Sequence, residues 1–440
     1  MSAQATDSLP GTADSSPPPD EPLSEVAEGA VPFERSLPVE FVPGDVLIRF
    51  MNDLPPTASE VATVMRGKGL KLKRSHSEIN VHYYTSKVKM SKNATLALVK
   101  ALDNHPFVEF AEPNGIIHGG GGATPLDPWF DQLNLGPPGF TNPDYYGFMK
   151  IKALTAWDYA TGDPDKYLAI IDTGVNWQHP EFSGRVWVPT NQLGNCVTPN
   201  TWPMDDNGHG SAVAGIALAS GNNGKGGAGV AYTQRILAVK ILDSDNSGTW
   251  EQLVCGINLA AAINETNVIN LSVWGYGAST AIYDAMYNAW VTRGKTVISI
   301  TGNGDDIGVR YFPGCYSRNG LAITVGATNY NDERWHDEPG GNNNGSTSND
   351  CITVAAPGDT IWSPWTKNND SSDTYSWWKG TSFAAPFVAG TAALMHQYAA
   401  RPNTSIRYYL TTRAKDLGVV GYDTTFGSGL IDAYRSVTAN

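Results

Sequence analysis

Three side chains of this 440-residue sequence have the types and settings that acyl transfer requires. Asp172 closes the apolar run YLAIID and is followed by Thr173-Gly174, which puts a carboxylate at the carboxyl end of a buried parallel strand, where α/β proteins place their sites. His209 stands in Asp206-Asn207-Gly208-His209-Gly210-Ser211, ahead of an apolar helix of small residues and between two glycines that let backbone approach closely. Ser382 lies in Gly380-Thr381-Ser382-Phe383-Ala384-Ala385-Pro386, also at a helix start, whose positive end favours negative charge developing beside the hydroxyl. Each alone has a plain structural use: a strand-end cap, a core histidine, a helix N-cap. Together they supply a nucleophile, a general base and a carboxylate to orient that base. Their order along the chain is Asp, His, Ser, and the surroundings of Ser382 do not read GxSxG, which excludes the nucleophile elbow of the α/β-hydrolases.

The elements that must position them alternate. Strands at YLAIID, RILAVKIL, VINLSV, TVISITGN and LAITVGA are interleaved with helices at SAVAGIALAS, WEQLVCGINLAAAIN, STAIYDAMYNAWVTRG and SFAAPFVAGTAALMHQYAA. The strands are continuous apolar runs, as in strands covered on both faces, so an α/β domain with a parallel sheet flanked by helices is predicted over 125–440. Upstream, residues 42–118 read as strand (DVLIRF), helix (SEVATVMRGKG, with Ser59 as its cap), strand (INVHYYT), helix (Lys92 to Asn104) and strand (HPFVEFAEPN). This is a small α+β sandwich of the ferredoxin-like β-α-β-β-α-β kind. Four successive glycines, Gly119 to Gly122, follow and make 119–124 a flexible, cleavable linker, since no Lys-Ser or Lys-Thr completes a phosphate-binding loop.

Charge divides the chain the same way. Residues 1–41 hold eight acids and one base and read as a disordered acidic tail with neither the basic start nor the apolar stretch of a secretion signal. Residues 42–118 carry net +3, and the whole chain −13, the wrong sign for a nucleic-acid partner. No apolar run is long enough to span a bilayer, and 41% hydrophobic residues exclude wholesale disorder. The four cysteines, Cys196, Cys255, Cys315 and Cys351, lack zinc spacing and allow either four unpaired core thiols or two disulfides in any of three pairings.

AIIDTGVNWQHPEF, NGHGSAVAGIALA and GTSFAAPFVAG resemble the three signature segments of the subtilisin-like serine proteases, the subtilases. The likeness runs over roughly 125–436, and residues 42–118 resemble the inhibitory propeptide of that family. It implies a three-layer parallel-sheet enzyme made as a self-processing zymogen: Ser382 attacks the scissile carbonyl, His209 moves the proton, Asp172 holds the imidazole, and Asn303 completes the oxyanion hole with the Ser382 amide. It implies peptide-pairing edges at Ser247-Gly248-Thr249 and at Ser272-Val273-Trp274-Gly275. Trp274 replaces a usual glycine and would narrow the primary pocket, where Ile300 also replaces a smaller residue. Asp305 and Asp306 either favour a basic substrate residue or form a solvated face. Ser211 stands where the family usually has threonine. The resemblance further implies a structural calcium ion on Glu181, Asn222 and Asn223, peptide substrates, the chain's own propeptide as intramolecular inhibitor with cleavage between about His118 and Ala123, secretion, and a monomer. A binding protein on the same fold and an ester hydrolase are the competing readings.

Overall fold

The computed structural model describes residues 41–119, 122–124, 146–188, 194–221, 223, 225–337, 344–365 and 374–439. The tail up to residue 40 therefore lies outside the described residues, and the first strand starts at Phe41, one residue inside the stretch read as tail.

The N-terminal unit is built from β1 (Phe41–Phe50), α1 (Ser59–Gly67), β2 (Leu70–His76), β3 (Val81–Ser86), α2 (Lys92–Asp103) and β4 (Val108–Gly119). All its strand pairs are antiparallel, in the order β4-β1-β3-β2, which is the ferredoxin-like arrangement. Its helices bury one stripe each, Val61 and Met65 on α1, Thr95, Val99 and Leu102 on α2, at the three- and four-residue spacing of a helix face. Ser91 caps α2 by accepting the Ala94 N–H at 3.2 Å. Ser59 does not cap α1. It is the first helical residue, and Ala58 occupies the cap position without a side-chain bond.

His82 stacks on Phe50 inside this unit, with Nδ1 3.0 Å from Ser75 Oγ and Nε2 2.9 Å from Asn80 Oδ1. Burial first, then the charge of His76, pushes its pKa down to about 4 from 6.5. The folded unit thus holds the neutral ring, so the stability this provides is complete above pH 6.5 and is lost as pH falls from 6.5 towards 4. The denaturant midpoint of the N-terminal unit, followed in the Ser382→Ala chain, should fall over that interval and should lose most of that dependence in His82→Gln. A flat midpoint would refute the assignment.

Downstream come β5 (Gly122–Thr124), α3 (Tyr146–Lys150), α4 (Ala153–Ala156), β6 (Tyr167–Asp172), β7 (Val186–Trp187), α5 (His209–Leu218), β8 (Arg235–Lys240), β9 (Ser247–Thr249), α6 (Trp250–Ala262), β10 (Thr266–Leu271), β11 (Val273–Trp274), α7 (Thr280–Tyr287), β12 (Thr296–Ile300), β13 (Ile323–Thr328), β14 (Val354–Pro357), β15 (Ile361–Pro364), β16 (Tyr375–Lys379), α8 (Thr381–Ala399), α9 (Asn403–Thr412) and α10 (Ala433–Val437). Seven strands form one sheet, β14-β13-β12-β10-β6-β8-β7, with every pair parallel. Helices α5 and α8 pack together on one face and α6 and α7 on the other, giving the three layers expected. Strands such as β6 and β12 are buried at every position, which is why their runs are apolar without alternation. The strand order reverses beside β6, so the crevice at the carboxyl ends of β6, β10 and β12 is where such a sheet opens to a ligand.

Both disulfides are formed: Cys196 with Cys255, tying the loop after β7 to α6, and Cys315 with Cys351. Among the described residues no helix is long and apolar enough to cross a membrane.

Candidate active site

Asp172 ends β6 fully buried, and its Oδ1 lies 2.7 Å from His209 Nδ1 while accepting the Thr173 N–H at 2.7 Å. Paired with a carboxylate, Nδ1 carries the proton and Nε2 is the basic nitrogen. The two elements approach this closely because Gly210 has no side chain: a Cβ there would lie 2.1 Å from the Gly174 carbonyl oxygen and 3.1 Å from Asp172 Cβ.

A second buried carboxylate, which sequence reasoning missed, holds the turn into α5. Asp205 Oδ1 accepts from the Thr173 hydroxyl at 2.8 Å and from the Asn207 and Gly208 amides at 3.0 and 2.8 Å, and Oδ2 accepts the Ser211 N–H at 2.8 Å. Burial raises its pKa, and those backbone donors offset part of the rise. The Lys240 ammonium, also missed, donates at 2.7 Å to the Thr173 carbonyl, the Leu242 carbonyl and Asp206, tying the loop after Asp172 to the loop before His209. The phenyl ring of Phe383 meets the His209 imidazole edge-on at 5.2 Å.

Ser382 opens α8. Pro386, four residues on, has no N–H to give to the Ser382 carbonyl, and the Ser272 hydroxyl donates to that carbonyl instead, at 2.9 Å. In return the Ser382 hydroxyl donates to the Ser272 carbonyl at 3.1 Å. Asn303, three residues past β12, accepts at Oδ1 from both the Thr381 amide (2.9 Å) and the Thr381 hydroxyl (2.7 Å). This fixes which way the amide points and leaves Asn303 Nδ2 buried without a hydrogen-bond partner. Such a group costs about 1–3 kcal/mol and calls for a functional explanation. Asn303 is held by Thr381, next in sequence to Ser382, whose own amide lies in the first turn of α8 and has no partner within the helix.

The end of β4 leaves its own sheet and lies between β9 and β11. Ile116, Ile117 and His118 pair with Thr249, Gly248 and Ser247, while His118 and Gly119 pair with Trp274 and Val273, all antiparallel. Beyond Gly121, residues Gly122, Ala123 and Thr124 pair with Lys379, Trp378 and Trp377 of β16. Of the segment read as a flexible linker, Gly119 and Gly122–Thr124 are thus strand. Gly275, at the end of the second expected edge, pairs instead with Phe312, its amide donating at 2.9 Å and its carbonyl accepting at 3.0 Å.

The same strand caps two helices of the downstream unit. Glu112 accepts from the Thr280 amide at 2.9 Å, the Ala281 amide at 3.0 Å and the Ser279 hydroxyl at the start of α7. Asn114 accepts the Glu251 N–H at 2.8 Å at the start of α6. Arg49 pairs with Asp284, and Arg74 with the buried Glu251 at 2.9 Å.

Glu181 is surrounded by donors. Its Oε1 accepts the Tyr375 hydroxyl at 2.8 Å and the Gly227 N–H at 3.3 Å, and its Oε2 accepts Asn223 Nδ2 at 2.7 Å. Asn223 Oδ1 is engaged by the Lys225 N–H at 2.9 Å, so its amide turns nitrogen, not oxygen, towards Glu181. Calcium requires converging oxygens, and Glu181 with Asn223 does not offer that set; Asn222 lies outside the described residues. Among the described residues no three His, Cys, Asp or Glu side chains come together as a metal site. Asp305 is paired with Arg334 at 2.6 Å and Asp306 accepts the Tyr311 hydroxyl at 2.5 Å, so both acids are already engaged.

The sequence pattern of the subtilase family matches residues 164–429, and that of the fervidolysin N-terminal prodomain matches residues 29–114. The thermophilic serine proteinase of Bacillus sp. (strain AK1) is 33% identical over 398 residues, 90% of this chain and 88% of that protein. Thermitase of Thermoactinomyces vulgaris is 35% identical over 317 residues, 71% of this chain and 99% of its own. The crystal structure of fervidolysin from Fervidobacterium pennivorans, a keratinolytic enzyme related to subtilisin, shares the fold with a TM-score of 0.71 at 22% identity, over 92% of this chain and 63% of that one. The protein is a serine endopeptidase with a prodomain ahead of its enzyme domain. It belongs to the subtilase family.

Proposed function

We propose that Ser382, His209 and Asp172 carry out peptide hydrolysis and that residues 42–118 form the inhibitor the enzyme cuts from itself. The observation that carries this reading is the buried, unpartnered Asn303 Nδ2 on an amide whose Oδ1 is held by Thr381, the residue before Ser382, which leaves that N–H free to meet an oxyanion together with the Ser382 amide. Ser382 Oγ leaves the Ser272 carbonyl and bonds to the substrate carbonyl carbon as His209 Nε2 takes its proton. Asp172 keeps the imidazolium oriented. The proton then passes to the departing amine, and water repeats the sequence on the acyl-enzyme. Ser247, Gly248, Thr249, Val273 and Trp274 bind substrate main chain as they bind β4, and Ser272 positions the nucleophile. Residues 119–124 are the processing linker and 125–440 the enzyme, acting as a monomer. Two disulfides favour an oxidising compartment and hence secretion. Calcium rests on the family resemblance and requires oxygens other than those of the Glu181–Asn223 pair; no step depends on it. The test is a fluorophosphonate probe: after prodomain release it should label Ser382 and no other residue, and an unlabelled, properly folded enzyme would refute the assignment.

Glu112→Ala should weaken inhibition by the prodomain about 10- to 100-fold, because charge-assisted hydrogen bonds to two helix-start amides and a hydroxyl are lost together. Inhibition constants from progress curves check this, and an unchanged constant would show that the cap adds nothing to binding.

A further inference from the structure

Strands β10 and β12 are neighbours, so the segments that leave them, Ser272–Gly275 and Thr301–Gly304, form the two lips of one crevice beside Ser382. The Gly275–Phe312 bridge closes its far side. A substrate residue set opposite Ser272 would direct its side chain into this crevice, and the crevice is already filled. The buried ring of Tyr311 lies edge-on to the Trp274 indole on one lip, with centroids 4.7 Å apart. On the other lip it takes the space of the missing side chains: a Cβ on Gly302 would lie 2.5 Å from Tyr311 Cδ2, and one on Gly304 would lie 2.5 Å from its hydroxyl oxygen. Asp306 accepts that hydroxyl at 2.5 Å, and Tyr276 Oη lies 3.4 Å from it, so the ring is pinned at its tip as well as along its faces.

We propose that Tyr311, wedged against Trp274, fills the primary specificity pocket, and that this enzyme cleaves after glycine and other residues with very small side chains. The proposal rests on the assignment of Ser382 above and deepens it. Its second, independent support is the chain's own strand. β4 pairs as far as His118 opposite Trp274 and Gly119 opposite Val273, and the next residue in the sequence, the one that a substrate bound in this register would present to Ser272 and the nucleophile it holds, is Gly120. From the other side, β16 pairs with the chain from Gly122 onward. The bond proposed for cleavage is therefore Gly120–Gly121, which brings no side chain to a filled pocket. Neither Asp305 nor Asp306 is left to serve a basic preference, since Asp306 is spent on Tyr311 and Asp305 on Arg334.

Succinyl-Ala-Ala-Pro-Xaa-p-nitroanilides, with Xaa glycine, alanine, leucine or phenylalanine, report the preference in mature enzyme. Alanine should exceed phenylalanine in kcat/KM by about 100-fold, because a built-in clash rejects the larger group. Tyr311→Gly should raise the phenylalanine-to-alanine ratio by at least about 30-fold as the clash is removed. N-terminal sequencing of the mature species should begin at Gly121. In the full chain Gly120→Ala should still be processed at that bond, Gly120→Phe should not, and Gly120→Phe with Tyr311→Gly should be cut again. If Tyr311→Gly does not fold, the Gly120→Ala and Gly120→Phe pair in the wild-type background decides alone. Faster turnover of phenylalanine or leucine than alanine, normal processing of Gly120→Phe, or a mature end elsewhere would overturn the proposal. Those failures all show cleavage with the wrong preference, whereas failure of the Ser382 assignment shows no fluorophosphonate labelling there.

Discussion

Ser382→Ala should accumulate as the uncut 440-residue chain and, once its prodomain is removed by other means, hydrolyse peptides about 10⁵–10⁶-fold more slowly than wild type. Magnitudes of that size follow because nucleophile and base act as one unit, so losing either forfeits nearly the whole covalent route. The residual rate is what the oxyanion donors and the paired strands supply. The fold should survive. The lost bond is the single one from the Ser382 hydroxyl to the Ser272 carbonyl, worth about 1 kcal/mol, while the Ser272 hydroxyl still satisfies the residue-382 carbonyl that Pro386 leaves free. Mass spectrometry of the purified chain and progress curves on casein read the two effects separately. Self-trimming of the mutant between His118 and Ala123 in a protease-free preparation would remove Ser382 from the processing step.

What the residues disclose ahead of the structure depends on whether their role is local. Asp172, His209 and Ser382 sit in short segments that each state their own setting, a buried strand end or a helix start. The parallel sheet is legible because strands covered on both faces leave unbroken apolar runs. Asp205 is a different case. It sits four residues before His209, but its work is done by accepting donors from Thr173 and Ser211, which meet only when the turn closes. Tyr311 is harder still: it belongs to an irregular loop with no period, and only the folded crevice brings its ring between Trp274 and Gly302. The cysteines carried no spacing that chose among pairings. Glu181 shows the opposite limit, since a motif position is readable while the direction in which Asn223 turns its amide is not. Ser59 failed as a cap for a simpler reason, one residue of offset in a helix start.

Asn303→Ala should lower kcat by about 10²–10³ with little change in KM, since its Nδ2 has no ground-state partner and gains one only when the carbonyl oxygen becomes an oxyanion. Alanine also removes the acceptor for the Thr381 amide and hydroxyl, so a share of the loss could be blamed on a displaced α8 start. Asn303→Asp separates the two. An aspartate keeps an oxygen for both Thr381 donors and so keeps the helix start in place, but it replaces the free N–H with a second oxygen facing the site of negative charge. If Asn303 serves as a donor, the aspartate enzyme should lose at least as much kcat as the alanine enzyme while labelling by a fluorophosphonate remains confined to Ser382. If Asn303 merely anchors Thr381, the aspartate enzyme should recover most of the wild-type rate. Steady-state kinetics on one small-residue peptide nitroanilide, measured for the three enzymes side by side, distinguishes these outcomes.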